Sequence, residues 1–317
     1  MTFAVRCLGV SLTFFLISYC ALSMAVGRAW RLAWRAAQKA SPRHLADVLF
    51  MLRGLPVAAA AVVTLAFVVP SFLLLEPQTS AEPVGEIPLT LGGCCLFLFA
   101  VGAYSAATAY LKTSRSVRDW LEDATALPTR SSIAVFRIRP RVPALTLAGL
   151  RAPRVLLSDA AAALLGPREL EIALQHEIAH ARRWDNWKKL FFRFWIFPGM
   201  LALEEAWNGA EEMAADDEAV SCASDALDLA SALIKLSRLA PLPPAATLTS
   251  ALVHPSSASV NARVERLVSW DDRRVDQSGQ PVPWYFRSAL LGSALGVLLS
   301  YGAVLHRMHT LTEWLVR

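Results

Sequence analysis

The stretch PRELEIALQHEIAHARRWDN, residues 167–186, decides the fold because it carries an HExxH motif at residues 176–180. Residues four apart lie on one face of a helix, so the imidazoles of His176 and His180 can bind one metal ion. Glu177 follows the first histidine, where its carboxylate can take a proton from water bound to the metal. The motif therefore predicts a zinc hydrolase site; the alternative is a surface helix with two solvated histidines.

The flanking residues independently predict a helix through this motif. Pro167 suits the first turn of a helix, and Glu169 and Glu171 lie near its positive end. Apolar residues recur at helical spacing along one face, at Leu170, Leu174, Ile178 and Ala181. We therefore expect the motif to lie on an amphipathic helix.

A second acidic segment, Glu212-Met213-Ala214-Ala215-Asp216, is a candidate source of a third ligand. Two histidines and one carboxylate would leave a catalytic zinc an open position for water. Asp216 lies one turn beyond Glu212 and could accept the free ring N–H of His176, which would fix the tautomer of that ring. The alternative is an ordinary acidic helix face, because other carboxylates crowd around Glu212. Cys222 is interpreted as a buried thiol rather than a ligand.

The composition indicates an integral membrane protein. Of the 317 residues, 55% are hydrophobic and 18% are charged, and the mean hydropathy is +0.41, which is too apolar for a soluble globule. Four apolar stretches are long enough to cross a bilayer: Phe3–Val26, Leu55–Leu75, Leu89–Leu111 and Phe286–Leu305. We therefore predict a mostly α-helical, polytopic protein with four transmembrane helices.

Charge asymmetry orients these spans. The first connection, residues 27–54, carries six basic residues, whereas the second, residues 76–88, has three glutamates and no Lys or Arg. The positive-inside rule places the basic connection in the cytoplasm and both termini outside. We predict a three-span region at residues 1–111, a cytosolic domain at residues 112–285, and a last span with a short external tail at residues 286–317. Because these basic flanks account for the net charge of +5, we expect no direct nucleic acid binding.

An apolar stretch of fourteen residues, Leu190–Leu203, separates the two motifs. As one helix it would span about 21 Å, which is short of a hydrocarbon core near 30 Å. A crossing would also place Glu212 and the histidines on opposite sides of the membrane. Pro198-Gly199 marks a bend, so we predict a re-entrant or interfacial hairpin over residues 190–207. The alternative is a buried helix of the cytosolic domain.

The chain resembles the BlaR/MecR-type membrane zinc metallopeptidases, relatives of the HtpX and CAAX-prenyl-protease group. The resemblance rests on PRVLLS at residues 153–158, HEIAHARRWDN at residues 176–186, and Glu212–Val220. It covers about residues 142–267, together with the pattern of spans. It implies a gluzincin-like α+β domain in which His176, His180 and Glu212 bind one zinc ion. Glu177 would then be the general base.

The resemblance also suggests residues around the zinc ligands. His254-Pro255 ahead of Arg263 is similar to an HtpX-type segment, which makes His254 or Arg263 a candidate oxyanion stabiliser. A loop histidine and a helix-surface arginine are the alternatives. Asp185, five residues beyond His180, either braces the helix or a ligand, or forms a surface ion pair with Arg182.

Two short strands are expected ahead of the motif. Val142–Leu150 and Arg154–Leu157 flank a turn at Arg151–Pro153. The resemblance implies that a sheet edge beside the zinc lets an extended substrate add as a strand.

These features predict an integral-membrane zinc endopeptidase of a bacterial-type inner membrane, with its active site on the cytoplasmic side. The resemblance implies a protein substrate, such as a transcriptional repressor that is cleaved in signalling. The alternatives are HtpX-like quality control of membrane proteins and a non-catalytic transducer that keeps zinc only for stability. The antibiotic-sensing relatives carry a large external penicillin-binding domain after the last span, whereas only His306–Arg317 follows it here. We therefore expect a sensor partner protein or a homodimer, in addition to contact with the lipid bilayer.

Overall fold

Long apolar helices dominate the protein. The computed structural model describes residues 3–37, 41–76, 85–128, 133–139, 144–239, 249–251, 257–270 and 300–314. This part of the chain is mostly helical, with one small sheet. Within it, three helices are long and apolar enough to cross a membrane: Phe3–Leu32, Pro42–Leu75 and Glu86–Leu121. The chain is therefore a membrane protein, as its composition predicts.

The membrane-spanning candidates come from the first four helices. These are α1 (Phe3–Ala37), α2 (Pro42–Val63), α3 (Val69–Leu75) and α4 (Glu86–Leu121), and a π-helical turn at Thr64–Val68 joins α2 to α3. Glycines let α1 and α4 approach closely, since a Cβ atom on Gly92 would lie 3.3 Å from the Gly9 carbonyl oxygen. Small residues thus set the spacing of these two helices.

Most of the basic connection predicted at residues 27–54 is helical rather than loop. α1 continues to Ala37, and α2 already begins at Pro42 behind the cap residue Ser41. Arginine is a good helix former, and basic side chains at a helix C-terminus interact favourably with the helix dipole, as Arg35 does in the last turn of α1. Residues 27–37 and 42–54 therefore belong to the two helices, although their basic composition predicted a connection across the whole stretch.

The fourth predicted span, Phe286–Leu305, falls mostly outside the described residues. Residues 300–314 form a helix that lies against the second membrane segment. The Tyr301 hydroxyl donates a hydrogen bond to the Ala66 carbonyl at 2.7 Å, and Met308 packs on the buried cluster that contains Phe72. This helix therefore contacts the α2–α3 segment.

A five-stranded sheet follows α4, in the order β1-β2-β4-β3-β5. The strands are β1 (Thr125–Leu127), β2 (Ala134–Ile138), β3 (Leu145–Ala148), β4 (Arg154–Ser158) and β5 (Thr249–Ala251). β2 and β4 are parallel, and the other neighbouring pairs are antiparallel. β3 and β4 confirm the two strands predicted from the sequence. The turn between them requires glycine, because Gly149 has φ of +98° and a Cβ there would lie 2.7 Å from the Ala152 carbonyl oxygen.

Helices pack on this sheet and enclose the main hydrophobic core. They are α5 (Asp159–Leu164), α6 (Pro167–Arg182), α9 (Ala223–Ser237) and α10 (Ser257–Val268). The core lies between β3 and β4 on one side and α6 and α9 on the other, with Leu145, Leu147, Val155, Leu157, Ile172, Ala173, Leu229 and Leu233 among its buried members. This packing fixes the axis of α6, the helix that carries the HExxH motif.

The stretch between the two motifs forms a helical hairpin of α7 (Asp185–Phe194) and α8 (Leu201–Ala219). Its turn reaches into the group of long helices, where the Trp195 ring lies 5.8 Å from the Tyr19 ring and 5.5 Å from the Phe99 ring. Gly102 of α4 allows this approach, because a Cβ atom there would collide with the Phe194 carbonyl. The hairpin is therefore packed between α1 and α4 rather than inside the core beneath the sheet.

A buried arginine ties the hairpin to α2. Arg53 is only 1% exposed, and its Nε donates to Glu204 Oε1 at 2.8 Å. Its Nη2 donates to the Trp195 carbonyl, and the guanidinium lies over the Phe192 ring. The pairing satisfies a charge that would be costly to bury alone. It also fixes the first turn of α8 on α2.

The start of α6 is held by a buried carboxylate. Glu169 Oε2 accepts from the Gly166 N–H at 2.7 Å, while Oε1 accepts from Lys235 Nζ at 2.6 Å and from the Ser231 hydroxyl. Burial by itself would raise the pKa of Glu169, but these hydrogen bonds outweigh it and hold the pKa below its ordinary value. Glu169 thus joins α6 to α9 as an anion.

We expect Glu169→Gln to lower the free energy of unfolding at pH 7 by about 1–2 kcal/mol, because the amide cannot form the same charged hydrogen bonds. A group whose pKa is depressed in the folded state stabilises the fold above its unfolded pKa and loses that effect as the pH falls through the folded value. The difference between wild type and variant should therefore shrink at acid pH. Thermal unfolding in detergent at several pH values measures it. Glu171→Gln, an exposed neighbour on the same helix, is the control, and a difference independent of pH would contradict the prediction.

Candidate metal centre

α6 presents both histidines of the motif to one point in the interior. His176, Glu177 and His180 are each 0% exposed. The two Nε2 atoms of the histidines lie 3.1 Å apart, so either one ring donates an N–H to the other or both lone pairs face a shared cation. The helix therefore brings two nitrogen donors together in the way that the four-residue spacing predicts.

α8 crosses α6 and adds a carboxylate to this pair. Glu212 Oε2 lies 3.6 Å from His176 Nε2, and Glu212 Oε1 lies 3.7 Å from His180 Nε2. Ligands about 2.0–2.1 Å from a tetrahedral zinc ion are roughly 3.3 Å from one another. The three side chains, which lie within 4.8 Å of one another and are all buried, therefore fit a zinc ion with two nitrogen donors and one oxygen donor.

A carboxylate lies against the other ring nitrogen of each histidine. His180 Nδ1 and Asp185 Oδ2 form a hydrogen bond of 2.9 Å. His176 Nδ1 lies 3.0 Å from Asp216 Oδ1. Such partners hold the Nδ1 proton, which leaves Nε2 free to bind a metal. The structure thus places Asp216 beside His176, as the sequence predicts.

Asp185 reaches His180 through a sharp turn between α6 and α7. Trp184 adopts the left-handed conformation at φ of 60°, which a non-glycine residue rarely does, and the chain reverses there. Asp185 is fully buried, and Arg183 and Lys188 lie near its carboxylate. The alternative of a surface ion pair between Asp185 and Arg182 is wrong, since the Arg182 guanidinium faces Glu218 at 3.4 Å.

Arg263 of α10 binds the two carboxylates of α8. Its Nη1 donates to Glu212 Oε2 at 2.9 Å, while Nε and Nη2 donate to the two oxygens of Asp216 at 2.8 and 2.6 Å. The arginine is 3% exposed, so it is not the helix-surface side chain of the alternative interpretation. The sequence did not predict these three hydrogen bonds. They occupy the N–H donors that Arg263 would need to bind an oxyanion. His254, the other oxyanion candidate, lies outside the described residues.

The electrostatics of the cluster favour a cation between the ligands. Burial alone would lower the pKa of His176, but Asp216 and Glu212 outweigh it and raise the pKa to about 9. Burial opposes ionisation of the two carboxylates, yet Arg263 and the histidines hold the pKa of Glu212 well below its ordinary value and that of Asp216 at about 2. A divalent ion would supply the positive charge without protonating either imidazole.

Glu177 lies beside this cluster in a different environment. Burial, offset in part by His176, raises the pKa of Glu177 to about 7. Among the described residues, no side-chain donor forms a hydrogen bond with its carboxylate oxygens, and the backbone of Leu147 on β3 lowers the pKa slightly. A carboxylate with this pKa and free lone pairs is suited to accept and return a proton near neutral pH.

A second buried pair lies next to Glu212. Glu211, one of the carboxylates that surround Glu212 in the sequence, is 0% exposed, and its Oε1 lies 2.9 Å from Lys189 Nζ. Burial raises the pKa of Glu211, whereas Lys189 lowers it. No sequence signal distinguishes Glu211 from its acidic neighbours, because the contact joins α8 to α7.

Cys222 is exposed, so its interpretation as a buried thiol is wrong.

The sheet edge beside the site is already covered. β5 pairs with β3 in antiparallel register, with Ser250 opposite Leu147 and Ala251 opposite Thr146. A substrate that adds as a strand on this side would therefore pair with β5, the edge strand of the sheet, rather than with β3. A small cavity of about 90 Å³ reaches His180 from the other end of β3, between the β3–β4 turn and the start of α7.

Comparison with known proteins agrees with this geometry. No curated protein matches the chain in sequence. The profile of the family described as BlaR1 peptidase M56 matches residues 76–267, which is more than half of the chain and includes α4, the sheet and all of the metal-binding candidates. The protein is therefore a member of the BlaR1 peptidase M56 family, a family of membrane-associated metallopeptidases.

Proposed function

We propose that this protein is a zinc-dependent endopeptidase of a bacterial-type inner membrane, which cleaves a protein at the cytosolic membrane surface. One observation carries the proposal: His176, His180 and Glu212 converge on one buried point, with the Glu177 carboxylate next to it. A structural zinc site would use four protein ligands and would need no base. Three donors and an adjacent carboxylate therefore favour catalysis over a purely structural metal.

The proposed role of each residue follows from the atoms that it can offer to a metal ion. His176 and His180 would hold zinc through Nε2, and Glu212 would hold it through a carboxylate oxygen. When bound, zinc would polarise the scissile carbonyl and make a water molecule acidic enough to attack it at neutral pH. Asp185 and Asp216 would keep each imidazole in the tautomer that offers Nε2.

Glu177 would move the proton in this reaction. Its carboxylate accepts a proton from the attacking water and then delivers it to the nitrogen of the leaving amine. The pKa near 7 supports both steps, because the group can be ionised before the attack and protonated after it. The exclusion of water around a fully buried Glu177 strengthens its interaction with the reacting groups.

The hairpin supports a position of the site close to the bilayer. Trp195 in its turn contacts Phe15 and Tyr19, which lie near the middle of the first membrane-spanning candidate. α7 leads from that turn directly to Asp185 at the metal-binding cluster. We infer that the turn is re-entrant, that the active site faces the cytoplasm, and that both termini lie outside.

The biological role proposed is regulatory proteolysis. A membrane-associated metallopeptidase that faces the cytoplasm can inactivate a transcriptional repressor without binding nucleic acid itself. A sensor protein or a second copy of the chain would supply the stimulus. The family membership supports the peptidase, and the repressor is the partner that best fits a single regulatory cleavage.

We expect Glu177→Gln to retain bound zinc and to lose peptidase activity by a factor of about 10²–10⁴, because the amide cannot take a proton. His180→Ala should lose both the metal and the activity. The measurements are metal content by mass spectrometry and cleavage of a proteome-derived peptide library by the purified protein.

Glu171→Gln is the matched control for this test, since Glu171 is exposed on the same helix. Equal cleavage by wild type and Glu177→Gln would contradict the assignment of the base. In cells, accumulation of one intact protein in the Glu177→Gln strain supports signalling, whereas many stabilised membrane proteins would support quality control.

We propose that Arg263 positions the metal ligand rather than stabilising the oxyanion. Three of its N–H groups bind Glu212 and Asp216, and the fork holds these carboxylates at fixed positions on α8. Its removal would leave two ionised carboxylates in a buried site without their compensating charge.

We expect Arg263→Ala to weaken zinc binding about 10–100-fold, as loss of a group that orients a ligand does, with activity largely restored by added zinc. Arg263→Lys should show a smaller loss, because it keeps the charge without the planar fork. Zinc titration against a competing chelator, followed by assays at saturating zinc, measures both effects. A fall in kcat of about 10²–10³ with unchanged zinc affinity would instead indicate an oxyanion role.

A further inference from the structure

A groove runs between the C-terminal part of α4 and the β3–β4 turn. It has a volume of about 520 Å³, larger than the cavity of about 90 Å³ that reaches His180. Its apolar surface comes from Tyr110, Val117 and Leu121 on one side and from the turn residue Leu150 on the other. A volume of this size can accept one large side chain together with neighbouring main chain.

The rim of this groove is cationic. Arg118 of α4 and Arg151 of the turn line it and are both exposed, and Arg154 adds a third guanidinium. Glu122 is the one carboxylate among the lining residues. Within the described part of the chain, Arg118 and Arg151 form no hydrogen bond or ion pair, while Arg154 lies over the Phe136 ring. Two guanidinium groups are therefore available to an external anion.

The groove and the cavity that reaches His180 meet at the same turn. Gly149, Leu150 and Arg151 line both spaces. Two hydrogen bonds hold this shared turn against α7, from Asn186 Nδ2 to the Gly149 carbonyl and from Trp187 Nε1 to the Leu150 carbonyl at 3.0 Å. Because Asp185 precedes these residues and bonds to His180, the turn has a fixed position relative to the metal-binding cluster.

We propose that this groove is the specificity subsite of the peptidase and that it binds an extended substrate segment with a large apolar side chain next to an acidic one. The apolar wall holds the first side chain, and Arg118 and Arg151 pair with the carboxylate of the second. This inference rests on the proposed peptidase function. It adds the substrate class, namely acidic sequences close to the cleaved bond.

The observations favour a peptide over an anionic lipid headgroup. A headgroup would need only the cationic rim, whereas the groove also has an apolar wall and shares its turn with the space beside His180. β5 already pairs with β3, so β3 itself has no free edge for a peptide, whereas the groove beside the β3–β4 turn is open. A segment bound along it would arrive at the ligands from the side of the β3–β4 turn.

The test profiles cleavage of a proteome-derived peptide library by the full-length protein in nanodiscs, once with neutral phosphatidylcholine and once with added phosphatidylglycerol. Wild type, Arg118→Glu and Arg151→Glu are compared. Arg115→Glu is the control, because Arg115 is an exposed arginine one turn earlier on α4 that does not line the groove. Glu177→Gln defines the background.

We expect Glu177-dependent cleavage enriched in Asp or Glu beside a large apolar residue. Each groove variant should lower kcat/KM for acidic peptides about fivefold, the scale of an exposed ion pair, and shift the profile toward basic residues. Arg115→Glu should match wild type. Glu177-dependent cleavage without acidic enrichment, or an unchanged profile in the variants, overturns this inference alone. If the variants differ from wild type only in nanodiscs with phosphatidylglycerol, the groove binds an anionic lipid rather than a peptide. If no cleavage depends on Glu177, the proposed peptidase function is overturned as well.

Discussion

The convergence of two imidazole nitrogens and one carboxylate on a single buried point is the constraint on which the rest of this structure depends. The Glu212 carboxylate is buried and ionised, so positive charge has to lie close to it. Arg263 compensates part of this charge from α10, and Asp185 and Asp216 orient the rings. A metal ion bound by the two imidazoles and Glu212 would complete this compensation.

The same helix connects this point to the membrane segments. The first half of α8 packs against α1 and α2 through Leu203 and Trp207, where the Trp207 ring contacts the Phe192 ring edge-on at 4.8 Å. Little more than one further turn of α8 leads to Glu212. A rigid helix with one half among the spans and the other half at the ligands couples their positions. The Arg53 contacts with Glu204 and Trp195 fix the near end of this connection.

The metal-binding residues could be predicted from the sequence because they recur at helical spacing. Contacts between residues far apart in the chain could not be predicted in this way. The two histidines of HExxH are four residues apart, as are Glu212 and Asp216, so each pair is visible in a short stretch of sequence. Pro198-Gly199 likewise marks the turn between α7 and α8. Arg263 meets Glu212 across 51 positions, and β5 pairs with β3 across about a hundred, so no local pattern reveals either contact. The short strands β1 and β2 carry too few residues for a recognisable alternation. The left-handed Trp184 gives no signal either, since that conformation usually selects glycine.

Zinc K-edge X-ray absorption spectroscopy of the purified protein would identify the ligands of the bound metal. We predict one zinc ion per chain with two imidazole nitrogens and carboxylate or water oxygens at about 2.0–2.1 Å, and loss of one imidazole contribution in His176→Ala. A spectrum with sulfur ligands near about 2.3 Å, or with oxygen ligands alone, would contradict a site built from His176, His180 and Glu212.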